Sequence, residues 1–266
     1  MNITLYHSVE STCSQKVRFV LAEKKLEWKE TWLNLRKGEQ FDPGYLKLNP
    51  KAVVPTLVHD GRVVRESTVI VEYVDDVFPE PPLRPADPYD RSRMRLIVKA
   101  FDEEVHPAIG ILSYAIVLRH QMNELKSPEE LEKHFCQIAD PGRRERQKST
   151  HEHGLKSPPA QVAVGMLRKV FELLDVSLAE GQWLAGPAFS LADASAVPYV
   201  VRARALNLAG LWHGRPAIDD WLERAIAKGN SYGLESPWGS ASFKELVQKR
   251  VENDAAEIEN LIRDSQ

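Results

Sequence analysis

Small hydroxyl and thiol side chains cluster near the N-terminus, between a strand-like and a helix-like segment. Ser11, Cys13 and Ser14 follow the β-prone residues 3–6 and precede an apolar helical pattern that begins at Val17. This order places them at a helix N-terminus, where backbone N–H groups and the helix dipole favour an anion such as a thiolate. Serine and threonine are also the usual helix caps, so capping alone is an alternative interpretation.

Two further signals lie between residues 53 and 67. Pro55 directly precedes a strand-like run, and a cis Val54–Pro55 bond would turn the backbone of Val54 towards a ligand. Glu66 and Ser67 open a helix-like segment, where the hydroxyl and the N–H groups could hold a carboxylate and Glu66 could hold an ammonium group. The alternatives are a trans proline at an edge strand and a simple cap beside a surface charge.

The elements that must position these residues have the order β-α-β, a linking segment, a β-hairpin and a helix. Strands are predicted at residues 3–6 and 28–33, with a helix at 17–25 between them. Asp60 and Gly61 separate two β-branched runs, which is a strong hairpin signal. Ser67 is expected to cap the helix that runs towards residue 77.

Five prolines between residues 79 and 88 cannot continue a helix or a central strand. Beyond them strand signals nearly vanish, and helices are predicted at residues 91–120, 162–179, 191–206, 218–227 and 243–262. Residues 121–160 are polar and contain several prolines, so we expect an irregular or partly helical excursion there. The chain therefore divides into residues 1–80, a linker at 81–88, and helical residues 89–266.

Composition narrows the possible functions. The 266 residues carry a net charge of −3, and the charges are balanced along the chain, so a nucleic-acid-binding surface is not expected. The two cysteines cannot form a disulfide framework, and the longest mainly apolar run is too short to cross a bilayer. No metal ligand set has suitable spacing. We expect a cytoplasmic protein without metal, nucleic-acid or membrane partners.

In this order the signals resemble those of glutathione S-transferases, over essentially the whole chain. Residues 11–18 (Ser-Thr-Cys-Ser-Gln-Lys-Val-Arg) are similar to the zeta-class pattern Ser-Ser-Cys-x-x-Arg-Val-Arg, and residues 49–57 are similar to the family's Asn-Pro-x-x-Gln-Val-Pro-x-Leu. Glu66-Ser67 matches the family's Glu-Ser pair, and Ser190 with Asp193 matches its capping box. Residues 66–70, 76–80 and 83–88 look like those of the bacterial β-etherases that cleave lignin-type aryl ethers.

The resemblance implies an α/β N-terminal thioredoxin-like domain (βαβ-ββα), an all-α C-terminal domain and a homodimer that uses glutathione. Ser11 would donate a hydrogen bond to the glutathione sulfur, with Ser14 as a competitor. Cys13 is a different option, because it would form a mixed disulfide there.

The rest of the glutathione site also follows from the resemblance. Val54, beside a cis Pro55, would pair its backbone with the cysteinyl part of glutathione. The other expected contacts are Glu66 and Ser67 for the γ-glutamyl group, and Gln40 and Lys51 for the glycyl carboxylate. Val53 stands where the family commonly has Gln, which removes one polar contact.

The second substrate is expected between the two domains. The candidate pocket residues are His106, Ile109 and Tyr114, although an apolar helical stripe is also typical of a core. The implied reaction is attack of the glutathione thiolate on an electrophilic carbon of an apolar, aromatic substrate, with loss of a group such as phenolate. The alternatives are a non-catalytic carrier of hydrophobic ligands with a glutathione site, and a Cys13-dependent glutathione isomerase or reductase.

Overall fold

The structure is a computed structural model that describes residues 2–229 and 241–265. Its sheet contains β1 (Ile3–His7), β2 (Lys29–Trp32), β3 (Thr56–His59) and β4 (Arg62–Arg65), in the spatial order β2-β1-β3-β4. β1 is parallel to β2 and antiparallel to β3. β3 and β4 form the predicted hairpin, in which Asp60 and Gly61 have positive φ angles of 47° and 80°, as a tight two-residue turn requires.

Three helices accompany the sheet: α1 (Thr12–Glu23), α2 (Pro43–Leu48) and α3 (Ser67–Val77). Between β2 and α2 a 3₁₀ turn covers Glu39–Phe41. α1 packs against α3 and against α10 (Leu191–Ala205) of the helical part. Because neighbours cover it on two sides, even polar residues of its first turns are buried.

A continuous helical run crosses the helical part from residue 88 to residue 125. It consists of α4 (Pro88–Ala100), a π-helical turn at Phe101–Val105, α5 (His106–Ser113), a second π-helical turn at Tyr114–Leu118, and α6 (Arg119–Leu125). The sequence predicted this helix over 91–120 but gave no sign of the π turns. Such turns widen a helix locally and often occur at functional sites.

Residues 121–160 are more helical than predicted. They contain α7 (Pro128–Cys136), α8 (Pro141–His153) and a 3₁₀ turn at Gly154–Lys156. The prolines that suggested irregular structure occupy the first turn of each helix, where the missing N–H costs nothing. Ser127 and Asp140 cap these two helices.

The remaining described helices are α9 (Pro158–Ala179), α11 (Pro216–Gly229), α12 (Ala241–Asn253) and α13 (Ala255–Asp264). The single helix predicted over 243–262 is therefore wrong, because the helix is interrupted at Asp254. Asn and Asp side chains compete for backbone groups and disfavour helix interiors, which explains an interruption at the Asn253-Asp254 pair. In the described residues, no helix is both long and apolar enough to cross a membrane.

One large apolar core joins the sheet to the helical part. Leu5 and Leu57 of the sheet, Val17 of α1 and Val197 of α10 belong to it, and all are almost fully buried. A smaller cluster of Tyr114, Met122, Leu131, Phe135 and Ile138 joins α7 to the long helical run. The predicted fold class, an α/β thioredoxin-like part followed by a helical part, is confirmed.

A buried ion pair joins the segment after α3 to the helices beside the sheet. Lys24 Nζ lies 2.5 Å from Asp75 Oδ1 and 2.6 Å from the carbonyl oxygen of Pro81. Asp75 also accepts hydrogen bonds from the Leu83 N–H, at 3.0 Å, and from Arg84 Nε, at 2.5 Å. One carboxylate thus connects α1, α3 and residues 81–84, which belong to the predicted linker.

Candidate active site

The first turn of α1 holds the predicted hydroxyl and thiol residues in three different environments. Ser11 is the N-cap, its side chain is half-buried, and its Oγ accepts a hydrogen bond from the Ser14 N–H at 3.2 Å. Ser14 is fully buried, and its Oγ has no hydrogen-bond partner among the described residues. Cys13 is also buried. The capping role of Ser11 is therefore real, and it leaves the hydroxyl proton of Ser11 available for donation.

Cys13 lies in a polar cluster with two residues from the helical part. Its Sγ is 3.4 Å from His106 Nδ1, at the start of α5, and 3.2 Å from Tyr199 Oη on α10. Tyr199 Oη is in turn 3.3 Å from His106 Nδ1. These three side chains, the Cys13–His106–Tyr199 cluster, bring a nucleophile, an acid–base group and a hydroxyl donor together from α1, α5 and α10.

The electrostatics of this cluster favour a thiolate. Burial raises the pKa of the Cys13 thiol, but the charge and hydrogen bond of His106, the charge of Lys16 and the hydrogen bond of Tyr199 together lower it to about 6. The Cys13 charge in turn raises the pKa of His106. Burial raises the pKa of Tyr199, which therefore stays protonated and able to donate. These effects favour a thiolate on Cys13 and a proton on His106.

Lys16 is a fully buried cation next to this cluster. Its Nζ donates to Thr68 Oγ1 at 3.1 Å and lies 4.0 Å from Asp102 Oδ1 and 5.9 Å from the centre of the Tyr199 ring. Burial lowers the pKa of Lys16, whereas the charges of Cys13 and Asp102 raise it. This lysine connects Cys13 to the first turn of α3, which contains the predicted γ-glutamyl contact Ser67.

The other predicted glutathione residues lie in the 3₁₀ turn, in the segment before β3 and at the start of α3. The Val54–Pro55 bond is cis, as the predicted backbone contact of Val54 requires. Ser67 is buried at the first position of α3. The predicted cap is shifted by one residue, because Glu66 takes the N-cap position with a φ of 67°. A non-glycine residue at such an angle is strained and is often found at ligand sites.

Gln40 and Lys51 are placed differently from each other. Gln40 is buried in the 3₁₀ turn, and its Oε1 has no hydrogen-bond partner among the described residues. Lys51 is exposed, and its Nζ forms an ion pair with Glu66 Oε1 at 2.6 Å. The ion pair brings the predicted glycyl and γ-glutamyl contacts together, so a bound glutathione would compete with it. The roles of these residues towards glutathione stay predictions.

The three predicted pocket residues do not share one surface. His106 is exposed at the start of α5 and contacts Cys13. Ile109 is in the core, beside a cavity of about 10 Å³, which is far too small for an aromatic substrate. Tyr114 is buried in the smaller apolar cluster that joins α7 to the long helical run, and its Oη lies 2.9 Å from His151 Nδ1. Their contacts with a second substrate stay predictions.

Sequence reasoning missed Tyr199 and Lys16 as members of the site. Lys16 occupies the position of the Arg in the zeta-class pattern, and this match was the available signal. Tyr199 is 186 residues away from Cys13 along the chain, and no local pattern links the two. Arg202, one turn after Tyr199 on α10, is also buried and donates to the Glu10 carbonyl oxygen at 2.7 Å, which fixes the turn before Ser11.

Comparison with known families agrees with this arrangement. The family model for the glutathione S-transferase N-terminal domain matches residues 10–77, and the model for the C-terminal domain matches residues 141–224. Together they cover more than half of the chain. The chain belongs to the glutathione S-transferase family. It is a glutathione-dependent enzyme, as the sequence predicted.

Individual relatives divide between two branches of the glutathione S-transferase family. Protein LigF from Sphingobium sp. (strain NBRC 103272 / SYK-6) is 29% identical, covering 98% of each chain. The solved structure of β-etherase LigF from Sphingobium sp. strain SYK-6 has a TM-score of 0.75 and 28% identity, covering 94% of this chain and 100% of that chain. Glutathione S-transferase Z1 of Arabidopsis thaliana is 41% identical over 90 residues, which are 34% of this chain and 41% of that protein.

Proposed function

We propose that this glutathione transferase catalyses attack of the glutathione thiolate on an electrophilic carbon of an aromatic ether, with release of a phenolate. Ser11 would donate a hydrogen bond to the glutathione sulfur. The similarity to β-etherase LigF extends over nearly the whole chain, which supports this substrate class. The similarity to the zeta-class enzyme covers only about a third of the chain. Residues 1–80 would hold glutathione, and residues 89–266, after the linker at 81–88, would supply the second-substrate side.

The environment of Ser11 is the observation that carries this proposal. The Oγ of Ser11 already accepts the Ser14 N–H, so its own proton can point towards a bound thiolate. The side chain is half-buried, whereas Ser14 and Cys13 are buried. Ser11 is thus the member of the trio that solvent, and hence glutathione, reaches most directly, and the positive end of α1 lies beside it.

A site of this kind can supply the free energy that is needed to lower the pKa of the glutathione thiol. A glutathione thiol has a pKa near that of cysteine, about 8.5, and lowering it by about two units needs roughly 2.7 kcal/mol of preferential thiolate stabilisation. A hydrogen bond to a charged group contributes about 1.5–3 kcal/mol. The Ser11 hydroxyl can therefore supply most of the shift, with the α1 N-terminus adding about 0.3–1 kcal/mol.

Substitutions at Ser11 test the proposal. Ser11→Ala removes the donor and should lower kcat/KM for glutathione conjugation about 10- to 100-fold, the equivalent of the lost hydrogen bond. Ser11→Asp keeps a strong N-cap but puts a negative charge beside the thiolate, so the fold should persist while activity is lost. Ser14→Ala is the matched control and should change kcat/KM by less than about threefold. Full activity in Ser11→Ala and Ser11→Asp would contradict the role of Ser11.

The Cys13–His106–Tyr199 cluster specifically favours one second candidate, a Cys13-dependent isomerase or reductase. In that case Cys13→Ala would abolish activity and Ser11→Ala would leave it intact, which is the reverse of the proposed pattern. A mass increase of Cys13 by one glutathione after treatment with glutathione disulfide would support this candidate.

We also propose a cytoplasmic homodimer, because the family resemblance implies both. Exposed apolar side chains such as Val69 on α3 and Leu96 on α4 are candidates for the interface. Sedimentation of the full chain would show the dimer, and a Leu96→Glu substitution should weaken it. A sedimentation coefficient of a monomer at micromolar concentration would contradict the proposal.

A further inference from the structure

His106 stands at the boundary between the buried cluster and solvent. It is the first residue of α5, directly after the π-helical turn at Phe101–Val105, and the residue reaches solvent while its ring contacts Cys13 and Tyr199. Gly110 follows four residues later and therefore lies on the same face of α5. A Cβ added at Gly110 would meet no atom within 4 Å, so the surface beside His106 is open.

We propose that His106 is the acid that gives a proton to the departing phenolate, and that Gly110 keeps the space in which the leaving aromatic group lies. The proposal rests on the proposed ether cleavage and adds to it a catalytic residue and a specificity-determining residue. The observations that carry it are the contacts of the His106 ring, the exposure of His106 as a residue, and the open space at Gly110.

Both ring nitrogens of His106 lie near Cys13 Sγ, and Nδ1 is the nearer of the two. Nδ1 is 3.4 Å from Cys13 Sγ and 3.3 Å from Tyr199 Oη, while Nε2 is 4.0 Å from the same Sγ. We assign the Nδ1–H to the Cys13 thiolate, which orients the ring. The Nε2–H is then the proton that can be donated to a substrate. Cys13 and Tyr199 are positioning residues in this arrangement.

Charged groups around His106 keep the imidazolium populated. The Cys13 thiolate on α1 and the Asp102 carboxylate on the π turn raise the pKa of His106, while burial and the Lys16 ammonium group on α1 lower it. Tyr199 on α10 stays neutral and donates its proton to the thiolate. An imidazolium that a neighbouring thiolate holds in its charged form can protonate a phenolate, whose conjugate acid has a pKa near 10.

The step balances in atoms and charge. The glutathione thiolate forms a carbon–sulfur bond at the ether carbon, and the carbon–oxygen bond to the aryl group breaks with its electron pair on oxygen. The Nε2 proton of His106 moves to that oxygen, so that a neutral phenol leaves and His106 becomes neutral. His106 regains a proton from solvent, which received the proton that glutathione lost on binding. The Cys13 thiolate is unchanged throughout.

Ethers with two different leaving groups distinguish an acid role of His106 from a purely structural role. A nitrophenolate leaves readily without a proton, whereas a methoxyphenolate depends on general acid assistance, which contributes about 10²- to 10⁴-fold. His106→Gln should therefore lower kcat/KM at least about 100-fold for a methoxyphenyl ether, and less than about 10-fold for the matching nitrophenyl ether. Equal losses on both ethers would overturn the acid role.

The pH profile gives a second measurement that does not depend on how His106→Gln folds. In the wild type, kcat/KM for the methoxyphenyl ether should fall at high pH as His106 loses its proton. Cys13→Ser removes the thiolate that raises the His106 pKa, so this fall should move to lower pH, while the profile for the nitrophenyl ether keeps its shape. An unmoved profile in Cys13→Ser would contradict the pairing of Cys13 with His106.

Gly110 is tested with a matched control in another helix. Gly110→Leu should raise KM for aryl ethers about 10-fold or more and leave KM for glutathione unchanged. Gly165 on α9 also has no atom within 4 Å of an added Cβ, and Gly165→Leu should leave both values unchanged. Both variants should fold, because leucine favours a helix more than glycine does. An unchanged KM for aryl ethers in Gly110→Leu would overturn the specificity role.

The same assays distinguish failure of this inference from failure of the proposed function. If the wild type cleaves neither ether but conjugates glutathione to a chlorodinitrobenzene, ether cleavage is wrong and the acid role is wrong with it. If the wild type cleaves both ethers and His106→Gln affects them equally, the proposed function stands and only the role of His106 is refuted.

Discussion

Substitution of Asp75 should destabilise the protein far more than any surface charge. The carboxylate is almost fully buried and interacts with Lys24, Arg84 and the backbone N–H of Leu83. Asp75→Leu would leave Lys24, also buried, without its countercharge and would leave the Leu83 N–H unsatisfied. Lys24→Met should be milder, because Asp75 keeps both Arg84 and the Leu83 N–H.

The expected loss of stability in Asp75→Leu follows from these contacts. Removing one partner of a buried ion pair costs about 3–5 kcal/mol. For a chain of this size, about 2–4 °C of Tm corresponds to each kcal/mol, so Asp75→Leu should lower Tm by about 6–20 °C. The double variant Lys24→Met/Asp75→Leu should lose less than Asp75→Leu alone, because no uncompensated ammonium group remains buried at this site.

Calorimetry on the wild type, the single variants and the double variant measures this effect. The control is Glu223→Ala, which breaks the exposed ion pair with Arg204 and should cost at most about 1 kcal/mol. A Tm drop for Asp75→Leu no larger than that of the control would refute the reasoning. Additive losses in the double variant would also refute it, because they would mean that the two charges act independently.

Three further predictions concern the site and its supports. The ultraviolet absorbance of the Cys13 thiolate should rise as pH rises through about 6, where the Cys13 pKa lies, and Cys13→Ser, but not Cys136→Ser, should abolish this step. Tyr114→Phe loses the hydrogen bonds to His151 and Gln147, so it should cost about 1–3 kcal/mol and leave kcat/KM unchanged. A 10-fold loss of kcat/KM would show that Tyr114 contacts the substrate. Asp193→Ala removes the acceptor for Ser190, Leu184 and Trp221, so chemical denaturation should show a loss of about 3 kcal/mol or more, and a loss below about 1 kcal/mol would contradict the importance of this buried cap.

Local signals predicted the four strands and α3, whereas α1 begins at Thr12, before the predicted 17–25, and α2 lies in the predicted linking segment. The Asp60-Gly61 turn and the Ser190–Asp193 capping box depend on residues only a few positions apart, and both occur as expected. Residues 121–160 were predicted less well because proline was read as a helix breaker. Ser127-Pro128, Asp140-Pro141 and Ser157-Pro158 are instead helix starts, each with a capping side chain followed by proline at the first helical position.

The candidate active site was predicted where its members are neighbours in sequence, or where the second-substrate hypothesis named one of them, as for His106. Ser11, Cys13 and Ser14 were found together, but their burial could not be predicted, because it depends on α10 packing over α1. Tyr199 comes from that distant helix and became visible only in the fold. The partner of Tyr114 was missed for the same reason, since His151 belongs to α8, whose helical structure the prolines concealed.

The open edges of the sheet have a consequence for the behaviour of the protein at high concentration. β2 and β4 are the outer strands, and each has only four residues. β4 begins and ends with arginine, and β2 begins with Lys29 and Glu30. Short, charged outer strands resist pairing with a strand of another molecule. We therefore expect the folded chain to stay free of amyloid-like aggregation even in concentrated solution.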